Sequence, residues 1–206
     1  APEAWQPNGG SKPLGPGGFF LRPQMRIRHS AQIEESEQVF GCSGALILFR
    51  RAALMDLVVE GQYFDESYFS YGEDVDLAWR AQLLGWKSWY ASQACAVHVG
   101  SGSSNGQMRF VDKPLFLQRH ILKNRYLTIA KNASWPELIP LVLYWLVSEP
   151  LVWLILFVRN PIRCIRLVPS LSDALRLMPQ AMRWRREMQE RCVLGLGQRI
   201  RLIKWL

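Results

Sequence analysis

The side chains best suited to acid–base chemistry are concentrated in one acidic segment of an otherwise basic chain. Five of the 17 acidic residues fall within residues 65–76, although the 206-residue chain has a formal net charge of +8. Like charges this close repel one another, and the cost falls when a cation, a helix N-terminus or a protonated partner compensates them. The segment is therefore a candidate site for proton transfer. Its acids are Asp65, Glu66, Glu73, Asp74 and Asp76.

Two interpretations of the pair Glu73 and Asp74 follow from its position at the start of a predicted helix. Acidic residues in the first turn stabilise a helix by a few tenths up to about 1 kcal/mol, so the pair could be purely structural. Alternatively, the aromatic loop before the pair and Trp79 after it could place a carboxylate against apolar walls. Such walls raise a carboxyl pKa and allow the group to accept a proton from a hydroxyl.

Two other features could bind charged ligands. His98 ends a predicted strand, ACAVHV, and precedes a Gly/Ser-rich loop. It is therefore either a metal ligand or a hydrogen-bonded structural residue. The predicted helix PLFLQRHILKNRYLTIAKN has an apolar stripe and a basic opposite side, which is either solvated or a clamp for a diphosphate. Arg119 and Arg125 suit the clamp, because a guanidinium binds phosphate oxygens in pairs.

The apolar pattern predicts the elements that must position these residues. VFGCSGALILF predicts a buried strand entered through a Gly-rich turn, FRRAALMDL a short helix, and WKSWYA another short strand. A helix is predicted over residues 73–85, because Leu77, Ala81 and Leu84 share a face and Gly85 provides a stop. This mixture indicates an α/β fold.

The final third of the chain differs in composition. Residues 138–158 carry one charge, Glu149, and two prolines, Pro140 and Pro150. The run approaches the ~20 residues that cross a bilayer, but a single crossing would separate two ends that both favour the cytoplasmic side. We therefore expect a broken helix or hairpin at the membrane, or alternatively a buried helical hairpin. Residues 159–206 hold 11 basic and three acidic residues, which predicts a basic amphipathic tail suited to an anionic membrane surface.

Four segments resemble, in order and spacing, the C-terminal half of the family 2 inverting glycosyltransferases of GT-A fold, especially rhamnosyltransferase-like members. They are VFGCSGALILFRRAAL, YFDESYFSYGEDVDLAWRAQLLGW, AVHVGSGS and RHILKNRYLTIAKN. The resemblance implies that Asp74 is the general base that deprotonates the acceptor, with Glu73 beside it, and that His98 binds Mg or Mn. It implies substrate contacts by Cys42, Ser43, Gly44, Tyr71, Gly72, Trp79, Arg119 and Arg125.

The resemblance also predicts the domain organisation. It covers roughly residues 38–132, the acceptor and catalytic half, and the N-terminal nucleotide-binding half with its Asp-x-Asp motif is missing. We therefore expect a fragment that is inactive alone. It would comprise a loop-rich arm (1–37), the partial GT-A-type domain (38–132), the apolar broken helix (133–158) and the basic tail (159–206).

The expected function is that of the intact protein. It would transfer a sugar, with inversion, from a nucleotide-sugar donor to a lipid-linked or polysaccharide acceptor, on the cytoplasmic face of the bacterial plasma membrane, in surface polysaccharide synthesis. The alternative is a non-enzymatic membrane-binding module in which the acidic helix only organises a core. Nucleic acid is disfavoured as a partner, because apolar residues interleave the arginines of the tail. The four cysteines show no metal-ligand spacing and indicate a reducing compartment.

Overall fold

The computed structural model describes two short pairs of N-terminal residues and most of the chain from Ser36 onward. The described residues are 8–9, 28–29, 36–42, 44, 46–91, 94 and 110–202. Two predicted site residues, Ser43 and His98, lie outside them, as do most of the predicted arm (1–37) and nearly all of the predicted strand ACAVHV.

The described strands are short and pair in two antiparallel ribbons. β1 (Asn8–Gly9) pairs with β2 (Arg28–His29), and β3 (Glu37–Val39) pairs with β4 (Ser88–Tyr90). The buried strand predicted over VFGCSGALILF is wrong for the described residues beyond Val39, and Leu48 in this segment is 98% exposed. At Phe40, just beyond β3, the backbone carbonyl accepts a hydrogen bond from the Gln82 side chain, Nε2, at 2.8 Å.

Helices make up most of the described structure, which is a predominantly helical α/β arrangement. The helix predicted from residue 73 is confirmed, and Gly85 just beyond its end has a φ of 81°. Single 3₁₀ turns cover Glu66–Tyr68 and Phe110–Asp112. The α-helices are α1 (Arg51–Asp56), α2 (Glu73–Leu83), α3 (Leu115–Asn132), α4 (Trp135–Arg159), α5 (Pro161–Leu167), α6 (Pro169–Glu190) and α7 (Leu196–Leu202).

Helix α4 corrects the expectation of a broken helix or hairpin over residues 133–158. It runs unbroken through Pro150, although proline removes a backbone donor and crowds the preceding turn. Tertiary contacts hold the middle of the helix: Arg125 Nη2 lies 2.5 Å from Glu149 Oε1, and Tyr126 Oη donates to Glu149 Oε2 at 2.7 Å. Among the described helices, none has both the length and the apolar content needed to cross a membrane.

Helix α3 lies at the centre of the packing, against α2, α5 and α6. Its apolar residues join a core that includes Phe40, Trp79 and Ile129. Of the two alternatives for the basic side of α3, a solvated face is wrong for Lys123, Arg125 and Lys131, which are all buried. Because a buried cation is costly without partners, these residues determine how the helix is held against its neighbours.

Candidate active site

The acidic pair lies at the beginning of α2, directly after a tightly turned segment, residues 66–72, which we call the connector. Asp74 is half-buried, and both of its carboxylate oxygens accept backbone hydrogen bonds. Oδ2 accepts from the Gly44 N–H at 3.1 Å, and Oδ1 accepts from the Val75 N–H at 2.8 Å. The structure thus brings together two predicted site residues, Asp74 and Gly44, that are 30 positions apart.

Glu73 has a different environment. Its side chain is also half-buried, and its Oε2 is buried without a hydrogen bond from any described residue. Burial raises the pKa of Glu73, a hydrogen bond from its own backbone N–H lowers it, and the charge of Asp74 raises it further. A carboxyl group with a raised pKa can exchange a proton closer to neutral pH.

The connector before α2 has an unusual backbone. Three of its residues have positive φ angles: Phe69 (62°), Tyr71 (70°) and Gly72 (96°). At Phe69 the chain makes a γ-turn, in which the Ser70 N–H donates to the Tyr68 carbonyl at 2.7 Å. A non-glycine residue in such a conformation costs about 1–3 kcal/mol, so surrounding contacts must hold the turn.

Asn124 on α3 supplies these contacts. Its Nδ2 donates to the carbonyls of Tyr68, Ser70 and Tyr71 at 2.9, 2.9 and 2.7 Å, and the side chain is buried. The opposite amide orientation would place an oxygen against three carbonyl oxygens, so the contacts determine which end faces the connector. The sequence carries one signal of this role, because Asn is a poor helix former and stands in the middle of a long predicted helix.

The remaining buried acids belong to an ion network beneath the connector. Lys131 Nζ lies 2.9 Å from both Asp65 Oδ2 and Asp76 Oδ2, and Arg80 Nε lies 3.0 Å from Asp76 Oδ2. Burial alone would raise the pKa of Asp76, but Lys131, Arg80 and a hydrogen bond from Asn132 lower it overall. The five acids therefore fall into three groups: the buried ion-paired residues Asp65 and Asp76, the exposed Glu66, and the pair at the helix start.

The ion network also connects α2 to α6 and to the chain before the connector. Arg80 donates to the carbonyls of Leu57 and Tyr63 at 2.5 and 2.6 Å. The ring of Trp184 on α6 lies under both cations, 5.2 Å from the Arg80 guanidinium carbon and 4.1 Å from Lys131 Nζ. These contacts hold α2 against α6 and against the chain before the connector.

The predicted substrate contacts near α2 have distinct settings. Tyr71 is half-buried, and its hydroxyl accepts from Lys113 Nζ at 2.9 Å. Cys42 is half-buried with its Sγ donating to the Trp89 carbonyl at 3.7 Å, and burial raises the pKa of this thiol. Trp79 is 2% exposed and packs edge-on against Phe40, so in this structure its ring belongs to the core.

The two predicted diphosphate-binding arginines have acidic partners. Arg119 Nη2 lies 2.8 Å from Asp173 Oδ2 on α6, at a partly exposed position, and Arg125 forms the buried pair with Glu149. Within the described part of the chain, no cluster of three or more His, Cys, Asp or Glu side chains is arranged to hold a metal ion. The predicted metal ligand, His98, lies outside that part, so its role stays a prediction.

Comparison with known proteins gives a family and two relatives. The model of a family described as "Glycosyl transferase family group 2" matches residues 19–184. Two N-acetylglucosaminyl-diphospho-decaprenol L-rhamnosyltransferases, from Mycobacterium tuberculosis strains CDC 1551 / Oshkosh and ATCC 25618 / H37Rv, are each 43% identical over 89 residues. The match covers 41% of this chain and 26% of each relative, so the chain spans about a quarter of their length. No solved structure matches.

Proposed function

The chain belongs to glycosyl transferase family group 2, and we propose that the full protein transfers a sugar from a nucleotide-sugar donor to a lipid-linked glycan with inversion of the anomeric centre. The two similar proteins are named as rhamnosyltransferases that act on a diphospho-decaprenol. We extend that class to this protein, with a deoxyhexose as the transferred sugar, in bacterial cell-surface polysaccharide synthesis. The chain carries the acceptor side of a GT-A-type domain.

One observation carries the catalytic part of the proposal, namely the orientation of Asp74. Two backbone N–H groups, from Gly44 and Val75, hold its carboxylate at a half-buried position at the helix start. In the proposed mechanism Asp74 takes the proton from the acceptor hydroxyl as that oxygen attacks the anomeric carbon, and the nucleoside diphosphate leaves from the opposite face. Glu73, with its raised pKa, lies beside the base and can pass on a proton.

The resemblance predicts a divalent metal, Mg or Mn, that would neutralise the leaving diphosphate. His98 is its predicted ligand. Within the part of the chain that the structure describes, no group of three or more His, Cys, Asp or Glu side chains could hold such an ion.

Replacing Asp74 with Asn in the full protein tests the catalytic role. We expect transfer to fall by about 10²–10⁴-fold, the usual contribution of a general base. Asn keeps only one of the two acceptor oxygens and turns an NH2 group towards the other backbone N–H, so we expect a loss of about 1–3 kcal/mol in stability. Transfer is therefore compared at a temperature at which both proteins are fully folded. Glu66→Gln is the matched control, since Glu66 is exposed and also lies in the acidic segment. Unchanged transfer by Asp74→Asn would remove Asp74 from this role.

Membrane association is the second part of the proposal. Helix α4 exposes a large apolar surface that includes Leu146, Val147 and Val158, and the exposed arginines Arg159 and Arg166 follow it directly. Apolar residues with flanking arginines suit the interface of an anionic bilayer. The proposed location is the cytoplasmic face of the plasma membrane, which would place the active site near a lipid-linked acceptor.

The same surface is the observation that favours the alternative, a non-enzymatic membrane-binding module. Sedimentation with vesicles of anionic and of neutral lipid tests the association: we expect salt-sensitive binding to the anionic vesicles, which Val147→Glu should weaken. Absence of binding would contradict the membrane proposal. Retained binding with no transfer by the wild-type protein would favour the module over the enzyme.

A further inference from the structure

An exposed group of aromatic rings stands on the connector that leads to the acidic pair. Phe69 is 70% exposed, and its ring stacks on His120 with centroids 4.9 Å apart and planes 29° apart. The same ring meets Phe116 edge-on at 6.3 Å, and Phe116 is 54% exposed. Large apolar side chains are normally buried, so two neighbouring phenyl rings in solvent require an explanation.

The backbone at Phe69 makes this exposure costly. Its φ and ψ of 62° and −59° are those of a γ-turn, which glycine adopts without a steric penalty and other residues adopt at about 1–3 kcal/mol. The ring gains little hydrophobic stabilisation to offset that strain, because most of its surface is in contact with solvent. A phenylalanine at this position therefore lowers stability while it presents a ring outward.

Contacts on both sides of the turn hold the ring in place. Lys123 Nζ donates to the Ser67 carbonyl at 2.5 Å and lies 3.1 Å from Nδ1 of His120, the residue on which Phe69 stacks. Asn124 binds the carbonyls on either side of Phe69. A rigid, exposed ring loses little entropy when a ligand covers it, which is the property of a preorganised binding surface.

The position of the rings relative to Asp74 indicates which ligand they meet. Phe69 precedes Asp74 by five residues, a span of at most about 18 Å for a fully extended chain. The positive φ angles at Phe69, Tyr71 and Gly72 turn this connector, so the span is shorter than that limit. A ligand that reaches Asp74 with its hydroxyl can therefore contact the rings with a neighbouring part.

We propose that Phe69, Phe116 and His120 form an aromatic platform that binds a pyranose ring of the acceptor. The proposal rests on the proposed function, since Asp74 must act on an acceptor hydroxyl. One face of a pyranose presents C–H groups and is apolar, so that it can cover an aromatic ring and remove apolar area from both partners. The donor is not expected to use this surface.

The test compares variants of the full protein with a short-chain N-acetylglucosaminyl diphospholipid as acceptor probe. Phe69→Gly removes the ring and also the backbone strain, so the melting temperature should stay equal or rise. The KM for the acceptor should rise roughly tenfold, the loss expected from uncovering about 50 Å² or more of apolar surface. The KM for the nucleotide sugar and kcat should change little. Phe69→Trp, which keeps a ring, should restore acceptor binding.

Two controls make the outcome specific. Phe64→Ala removes another exposed phenylalanine from the same part of the chain, 42% exposed, and should leave the acceptor KM unchanged. Phe116→Ala should raise the acceptor KM in the same direction as Phe69→Gly. An unchanged acceptor KM in Phe69→Gly, or an equal increase in Phe64→Ala, would overturn the platform.

Direct binding separates failure of the platform from failure of the proposed function. Saturation-transfer NMR with the same probe and no donor detects contact between the acceptor sugar and the protein without turnover. Ring-dependent binding in a protein that transfers no sugar would support the platform and contradict the enzyme. Transfer that depends on Asp74, with probe binding indifferent to Phe69→Gly, would support the enzyme and contradict the platform.

Discussion

Replacing Lys131 with Met should be one of the most destabilising single changes near the site, although Lys131 touches no proposed substrate. The Lys131 ammonium lies 2.9 Å from two carboxylates, Asp65 and Asp76, and the side chains of all three residues are at most 3% exposed. Methionine has similar length and no charge. Asp76 would keep Arg80 and Asn132 as partners, while Asp65 would keep only the Ser67 N–H among the contacts observed here.

The expected loss in stability of Lys131→Met follows from the burial of the ion pair. Removing one partner from a buried ion pair leaves an uncompensated charge and costs about 3–5 kcal/mol. For a chain of this size, 1 kcal/mol corresponds to about 2–4 °C in Tm, so Lys131→Met should lower Tm by roughly 6–20 °C. Arg119→Met removes a partly exposed pair with Asp173 and is the control, with an expected cost below about 1 kcal/mol.

Urea denaturation at pH 7 measures both variants, and a double-mutant cycle with Asp65→Asn isolates the pair. The double variant should recover part of the loss, because the carboxylate left without its cation is then neutral. The reasoning is refuted if Lys131→Met lowers the free energy of unfolding by no more than Arg119→Met does, because the buried ion network would then not hold α2 and the acidic pair in place. If the stability lost in the double variant equals the sum of the losses in the two single variants, Lys131 and Asp65 are not coupled.

Three other changes probe the elements around the acidic pair. Gly41→Ala should cost about 1–3 kcal/mol by urea denaturation, because its Cβ would lie 2.3 Å from Ala78 Cβ, whereas Gly197→Ala, with nothing within 4 Å, should cost nothing. The stability of Glu73→Gln relative to the wild type should increase as pH rises through the unfolded and then the raised folded pKa of Glu73, and stay constant above the folded pKa, because ionisation of Glu73 costs more in the folded state. A difference in Tm that does not change with pH would contradict this. Asn124→Ala should release the connector, which hydrogen exchange of its amides would detect as faster exchange, and unchanged exchange would count against the clamp.

The sequence by itself determined the local features of the site. The acids, the shared apolar face and the terminal glycine place a helix over residues 73–85, and the structure has α2 over Glu73–Leu83. A helix turns about 100° per residue, so Asp74 and Asp76 point in directions about 160° apart. One of them must therefore face away from any site that the other faces, and this much follows from their spacing.

Only the tertiary structure decided which of the two is structural. Asp76 contacts Lys131, which is 55 positions away. From the sequence, that lysine is predicted on a solvated or phosphate-binding side of α3. The unbroken course of α4 also depends on tertiary contacts. Pro150 predicts a break because proline disfavours a helix interior, which is a local effect. Glu149, however, contacts Arg125 and Tyr126 on α3. Residue types and their spacing specify the short-range hydrogen bonds of a helix, but the burial of a charge depends on partners that only the packed chain brings within 3 Å.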